Sequence, residues 1–324
     1  MQQRIQRKKM EISILLAEQI LAMFLTMAVG FAVVRIGLFK TEDSRIISNM
    51  VVYICNPCVV VHAFQIELTD DKIRGLLIAI EMSVIVHIVL IAGTAALSKV
   101  FHFNSIEKAS IIYTNAGYLV IPLVSAVLGE EWVFYTTAFI LVQTVLMWTH
   151  GVKLIGQEKD MNIRKIITNP NVIAMLTGIV LFALEIRLPS VIDSCVSGFG
   201  DMISPASMMV IGMVIGDVDL KWVFGQKRPY LICLIRLIVF PVIAAVSFAG
   251  LERMGIHKDA EYILMIVLIA TAAPAAAMVT QLSQIYKKDS KYASVINVMS
   301  VVFCIVTMPV MVLLYEMMIG LMIG

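Results

Sequence analysis

Residues 262–286 read YILMIVLIATAAPAAAMVTQLSQIY. The run is apolar and long enough to cross a bilayer core of about 30 Å as a helix. Pro274 stands near its middle, with alanines on both sides. Proline has no N–H, and its ring clashes with the carbonyl four residues back, here that of Ala270, so a helix kinks or breaks there. Backbone freed at membrane depth is tolerated only against protein or a watered cavity. Ala272, Ala273, Ala275, Ala276 and Ala277 leave room for a second backbone to come close. A second interrupted span fits that description: 110–129, SIIYTNAGYLVIPLVSAVLG, with Pro122 inside it. Two broken spans in corresponding positions of two halves are a sequence pointer to a transporter's binding site.

The rest of the composition agrees. Of 324 residues, 60% are hydrophobic and 15% charged, and the mean hydropathy is +0.92. Soluble globular chains carry about 25% charged residues, so an all-α polytopic membrane protein embedded in a lipid bilayer is expected. The formal charge of +2 carries no basic patch with interleaved aromatics, and no nucleic-acid partner is implied. The start, MQQRIQRKK, resembles the n-region of a signal peptide. The apolar run 12–34 is longer than a signal h-region of about 7–15 residues, and Arg35 follows without a small-residue cleavage site. It reads as a retained first span, and Met10 is an alternative start. Cys55-Asn56-Pro57-Cys58 has redox-motif spacing, but it lies in an apolar helical stretch instead of a thioredoxin-like βαβ context.

Ten hydrophobic segments can be drawn: 12–34, 46–64, 75–97, 106–128, 132–155, 172–186, 203–218, 230–251, 262–285 and 292–315. Pro57 and Pro122 lie in the second and fourth. Pro205 and Pro274 lie in the seventh and ninth, 148 and 152 residues further on. That spacing predicts a duplication into 1–155 and 170–324, joined by a cytoplasmic connector at 156–169. Five crossings per half is an odd number, so the halves have opposite orientations, an inverted repeat. Loops after odd-numbered segments carry fifteen Lys and Arg, against five in the other loops and four in the N-terminal tail. The positive-inside rule then puts both termini outside the cytoplasm of a multi-pass cell-membrane protein.

The run APAAAMVTQLSQIYKKDSKYAS, continuing to TMPV at 307–310, resembles the auxin efflux carrier family in its bacterial form. So does NAGYLVIPL at 115–123. Bacterial relatives of that kind are usually described as malate or malonate permeases, and plant PIN-type auxin carriers are similar. The resemblance implies ten transmembrane helices as two inverted five-helix repeats, with helices four and nine broken and crossing at their prolines. It implies substrate at the crossing, by analogy a small organic anion moved by secondary active transport. Sodium/bile-acid-type symporters share that architecture. The chain departs from the family at Val120, where a glycine is expected before Ile-Pro. The ninth segment has no asparagine matching Asn115, which leaves Thr271 as its nearest polar candidate.

The substrate-binding candidates are therefore Asn115, Gly117, Pro122, Thr271 and Pro274. The Asn115 amide both donates and accepts hydrogen bonds, which suits a carboxylate or an orphaned backbone group at a break. Gly117 permits a close backbone approach. Glu81 and Arg236 are charges placed inside spans, where charge is costly and marks ion pathways or partner pairs. With His87, a potential proton relay, they are the ion-coupling candidates. An ion pair, a proton carrier at Glu81 and an anion contact at Arg236 all remain open, as does snorkelling to the interface. No cofactor or metal is implied; coupling to H⁺ or Na⁺ and a homodimer are left open. Gly212 and Gly216 form a GxxxG, read as helix packing. One enzyme reading exists: Gly198-Phe199-Gly200-Asp201 matches the GxGD of intramembrane aspartyl proteases. Such a dyad needs a second aspartate in a facing helix, and no Tyr-Asp occurs in an earlier span. Asp201 reads instead as a cap for the helix that follows. A non-transporting receptor on the same fold is the remaining alternative.

Overall fold

A computed structural model describes residues 21–22, 25–67, 69–156, 164, 167–168, 170–216 and 218–323. The basic N-terminal tail, the start of the first segment and most of the 156–169 connector lie outside those residues. The described chain is helical, with a single isolated β-bridge. In order, the main helices are α1 (Leu25–Arg35), α2 (Thr41–Ala63), α3 (Asp70–Phe101), α4 (Ser105–Ile112), α5 (Ile121–Leu128), α6 (Glu130–Gly156), α7 (Pro170–Ala183), α8 (Ser190–Gly216), α9 (Arg228–Glu252), α10 (Ala260–Ala272), α11 (Ala277–Ile285) and α12 (Ser290–Ile323), with a short helix, Leu220–Phe224, between α8 and α9.

Six of these, α2, α3, α6, α8, α9 and α12, are long and apolar enough to cross a membrane. Helices α1, α7 and α10 are apolar but shorter. The fourth and ninth hydrophobic segments are each cut into two half-helices, which is why neither forms a full-length span. The outer faces carry exposed apolar side chains, among them Ile85 and Ile88 of α3, Ile243 of α9 and Val306 of α12. That is the surface a lipid-embedded protein presents.

α3 sets the frame. The Thr69 side chain accepts from the Lys72 N–H at its start, Asp70 and Asp71 sit in its first turn, and Lys99 in its last. Each charge complements the helix dipole. His102 closes it in the left-handed conformation, and Asn104 with Glu107 forms a capping box that starts α4. At this end Arg228 at the head of α9 pairs with Glu107 at 2.8 Å, and the Tyr292 hydroxyl of α12 donates to the same carboxylate at 2.8 Å. At the other end Asp71 pairs with Lys258, just before α10. α4 and α10 thus enter the molecule from opposite ends of α3.

α10 is buried from Ile263 to Ala272. A helix apolar all round belongs inside a bundle, and in a bilayer its association rests on close packing more than on the hydrophobic effect. The GxxxG reading has a physical counterpart here. A Cβ on Gly212 would stand 1.9 Å from the Met27 carbonyl oxygen, and one on Gly30 would stand 2.3 Å from that of Met209. α1 and α8 touch backbone to backbone.

Two placements differ from the sequence reading. The fourth segment does not break at Pro122: the chain leaves the helix at Tyr113–Asn115, turns through one wide π turn (Ala116–Val120), and Pro122 sits in the first turn of α5. Proline is tolerated there because the π turn just before it interrupts the regular hydrogen-bond ladder in which its missing N–H would have served. Asp201 does not cap an isolated helix beginning at Ile203. Ser190–Asp201 is itself helical and runs into Ile203–Gly216 with only Met202 between. The polar face of this stretch hid it from a hydropathy reading.

Candidate functional site

The two breaks meet. After α4, Tyr113 turns to extended backbone (φ −97°, ψ 133°), and after α10 Ala273 does the same (φ −63°, ψ 155°). The two short extended pieces pair antiparallel, with Thr114 opposite Ala275. The Asn115 N–H donates to the Pro274 carbonyl at 2.8 Å, and the Ala276 N–H donates to the Tyr113 carbonyl at 3.0 Å. Each break thus supplies hydrogen bonds the other lacks, as backbone at membrane depth requires.

The central residue of each piece is served by a side chain from a neighbouring long helix. Gln143 of α6 accepts from the Thr114 N–H at 2.8 Å and from its hydroxyl at 2.9 Å, and donates to its carbonyl at 2.8 Å. On the other piece, Ser300 of α12 accepts from the Ala275 N–H at 3.0 Å, and Asn297 donates to the Ala275 carbonyl at 2.6 Å. Sequence reasoning passed over Gln143, Asn297 and Ser300. The signal was present, since Gln143 interrupts AFILV and TVLMW, and Asn297 sits between VI and VM.

Arg236 of α9 is fully buried and reaches the same place. Its guanidinium donates to the Ile111 carbonyl at 3.1 Å, to Thr271 at 2.8 Å and to Ala273 at 3.0 and 3.2 Å. Those carbonyls close the C-terminal ends of α4 and α10. Among the described residues no carboxylate lies within ion-pair distance of it. The compensating charge comes from the two helix ends, each carrying about half a negative charge. Two ends therefore offset one guanidinium. The N-terminal ends of the following half-helices, at Ala116 and at Ala277, have no built-in counterpart of that kind among the described residues.

The other sequence candidates fall as follows. Asn115 is buried at the head of the turn into α5, and its side-chain amide makes no hydrogen bond among the described residues. A Cβ on Gly117 would lie 3.1 Å from Nδ2 of Asn56 in α2, so the glycine lets α2 come close. Asn56 is itself buried, with Oδ1 unpartnered among the described residues. The Thr271 hydroxyl turns back to the Val267 carbonyl at 2.7 Å, so only its backbone carbonyl takes part, through Arg236. Pro274 sits in the crossing and uses its carbonyl. Pro122 lies seven residues past Asn115, in α5. His87 is buried on α3, with Nδ1 2.7 Å from the Ser83 carbonyl and its ring packed on Phe139. Glu81 is exposed on the outer face of α3, apart from the crossing. Asp201 lines a cleft of about 190 Å³ shared with His62, Ser125, Glu130 and Ser197. Among the described residues it makes no hydrogen bond to a second aspartate, as a protease dyad would require.

Two broken helices cross inside a bundle that includes six helices long and apolar enough to span a membrane, the arrangement found around the binding sites of membrane transport proteins. The comparison with known families agrees: the family model described as membrane transport protein, that of the auxin efflux carriers, matches residues 15–162 and again residues 158–312. The chain belongs to this family. A protein of Methanocaldococcus jannaschii described as an uncharacterized transporter is 23% identical over 287 residues, covering 84% of this chain and 90% of that protein. These relationships point to a transporter and away from the protease reading.

Proposed function

We propose that the protein is a secondary transporter that moves a small organic anion, a carboxylate, across the cell membrane by alternating access. The observation that carries this is the electrostatic asymmetry of the crossing. The two C-terminal helix ends are neutralised by Arg236. The two N-terminal ends, at 116–118 and 277–278, begin with N–H groups that lack an intrahelical acceptor, each end worth about half a positive charge. Together they complement one carboxylate without a lysine or arginine in direct contact. Asn115, whose amide makes no hydrogen bond among the described residues, is the side-chain contact in this reading.

The ten-helix arrangement of two inverted repeats, 1–155 and 170–324, belongs to the same proposal. Three observations support it: the family model matches once over each half, α4 and α10 enter from opposite ends of α3, and α6 and α12 serve the two breaks in equivalent ways. Both termini then lie outside the cytoplasm, and H⁺ or Na⁺ is the driving ion. The test is uptake into proteoliposomes. With an imposed proton or sodium gradient, vesicles containing the protein should accumulate labelled malate or malonate above protein-free vesicles. Failure to accumulate any of a panel of small carboxylates under either gradient would remove the anion reading and leave the receptor alternative.

A further inference from the structure

The cleft beside Asp201 lies between two groups of helices. One wall is α2 and α8, which pack on each other; the other is α5 and the start of α6, which pack together, with α6 also packed on α3 and α10 and, beyond the cleft, directly on α2. His62 stands at the seam, near the C-terminal end of α2. Its Nδ1 is 3.0 Å from Oδ1 of Asp193 in α8, and its Nε2 is 3.7 Å from Oε2 of Glu130 at the head of α6. Both ring nitrogens therefore face carboxylates. A neutral imidazole has one N–H and one bare lone pair, and only the imidazolium donates from both sides. Either neutral tautomer turns a lone pair toward a carboxylate. The arrangement is matched to the protonated ring.

We propose that His62 is a proton-operated latch on this cleft, tying α2 and α8 to the head of α6 when protonated and releasing Glu130 when neutral. An imidazole ordinarily changes charge between pH 5 and 8, so the latch is closed in acid and open in base. The surrounding charge is mainly negative. α8 contributes Asp193 and Asp201, and Cys195; the head of α6 contributes Glu130 and Glu131, with Tyr135 one turn on. The loop after α7 brings Glu185 and Arg187, the loop after α2 brings Glu67, and α2 itself adds Cys55 and Cys58. α5 and α7 carry no titratable side chain. Arg187 is the cation among these groups. The His62–Asp193 contact joins two helices of one wall. The His62–Glu130 contact bridges the two walls at the cleft, beside the direct packing of α2 on α6.

The test needs no transported solute, so its outcome is independent of the anion reading. Ser125 of α5 lines the cleft. The purified protein carrying Ser125→Cys is labelled with a thiol reagent across pH, alongside the same protein carrying His62→Gln as well. At each pH each rate at position 125 is divided by that protein's own thiolate fraction, measured separately, before the ratio of the two is taken, because His62 lies in the same cleft and its charge acts on the thiol. At about pH 5.5 the His62→Gln protein should label roughly two- to five-fold faster, the range for one partly exposed ion pair, and the ratio should fall to one by about pH 8. Glu130→Gln, which removes the other arm of the bridge, should give the same pH-dependent ratio and serves where His62→Gln does not purify. A ratio that stays flat across pH in both backgrounds overturns the latch.

Discussion

Replacing Arg236 with methionine tests the reading of the crossing at its most buried point. The substitution keeps a long, flexible side chain and removes every donor. Three carbonyls, those of Ile111, Thr271 and Ala273, then lose the guanidinium that serves them. A buried acceptor left unsatisfied costs about 1–3 kcal/mol, so the gross loss is about 3–9 kcal/mol. Relief from burying a guanidinium returns several kcal/mol of that, which leaves a net loss on the order of 3 kcal/mol. Arg236→Lys keeps the charge but gathers its donors on one nitrogen, which cannot serve carbonyls from two separate helix ends equally well. It should lie between the two. The assay is thermal loss of the monodisperse peak of the detergent-purified protein, with Glu81→Gln on the exposed face of α3 as the control. The expected order of stability is parent and Glu81→Gln together, then Arg236→Lys, then Arg236→Met. If Arg236→Met melts with the parent, the carbonyls are satisfied by something else and the charge argument for the crossing fails.

Gly212→Ala should destabilise the protein by about 1–3 kcal/mol, because its Cβ meets the backbone of Met27, which cannot move aside as a side chain would; Gly250→Ala, helical with open space around it, is the control that should melt no lower than the parent. Glu81→Gln should leave both the rate and the pH dependence of uptake unchanged, since the carboxylate points away from the crossing; a shifted pH profile would return Glu81 to the ion-coupling path. Cysteines placed near Glu130, Ser190 or Lys258 should react with an impermeant reagent added outside cells, and cysteines near Lys159, Gln226 or Lys288 should not. Outside labelling near Lys159 would refute the proposed orientation.

The breaks were legible in the sequence because a proline among alanines in a span has few structural outcomes. Pro274 marks its break within a residue or two. Pro122 does not, since a proline is as much at home just inside a helix start as at an interruption, and only the three-dimensional pairing of Thr114 with Ala275 decides between them. Arg236 was recognisable as an anomaly, but its role was not. A guanidinium bound only to main-chain carbonyls leaves no complementary acidic residue to find in the sequence. Gln143, Asn297 and Ser300 are legible as lone polar residues in apolar runs once the crossing they serve is known. Ser190–Asp201 escaped because hydropathy detects apolar helices and this one carries a polar face. His62, Glu130 and Asp193 come together from three separate helices, which no local pattern announces.

The central claim, that the crossing holds a carboxylate with Asn115 as its side-chain contact, is tested most directly by a thermal-shift screen. The parent protein and Asn115→Ala are each melted against a panel of small organic anions, since a ligand that binds only the folded state raises the apparent melting temperature. Among the described residues the Asn115 amide makes no hydrogen bond, so Asn115→Ala should melt like the parent when no anion is present. The anion that stabilises the parent should bind the variant more weakly by about 1–3 kcal/mol, the range for one hydrogen bond to a charged group. Equal stabilisation of both proteins by the same anion would contradict the assignment.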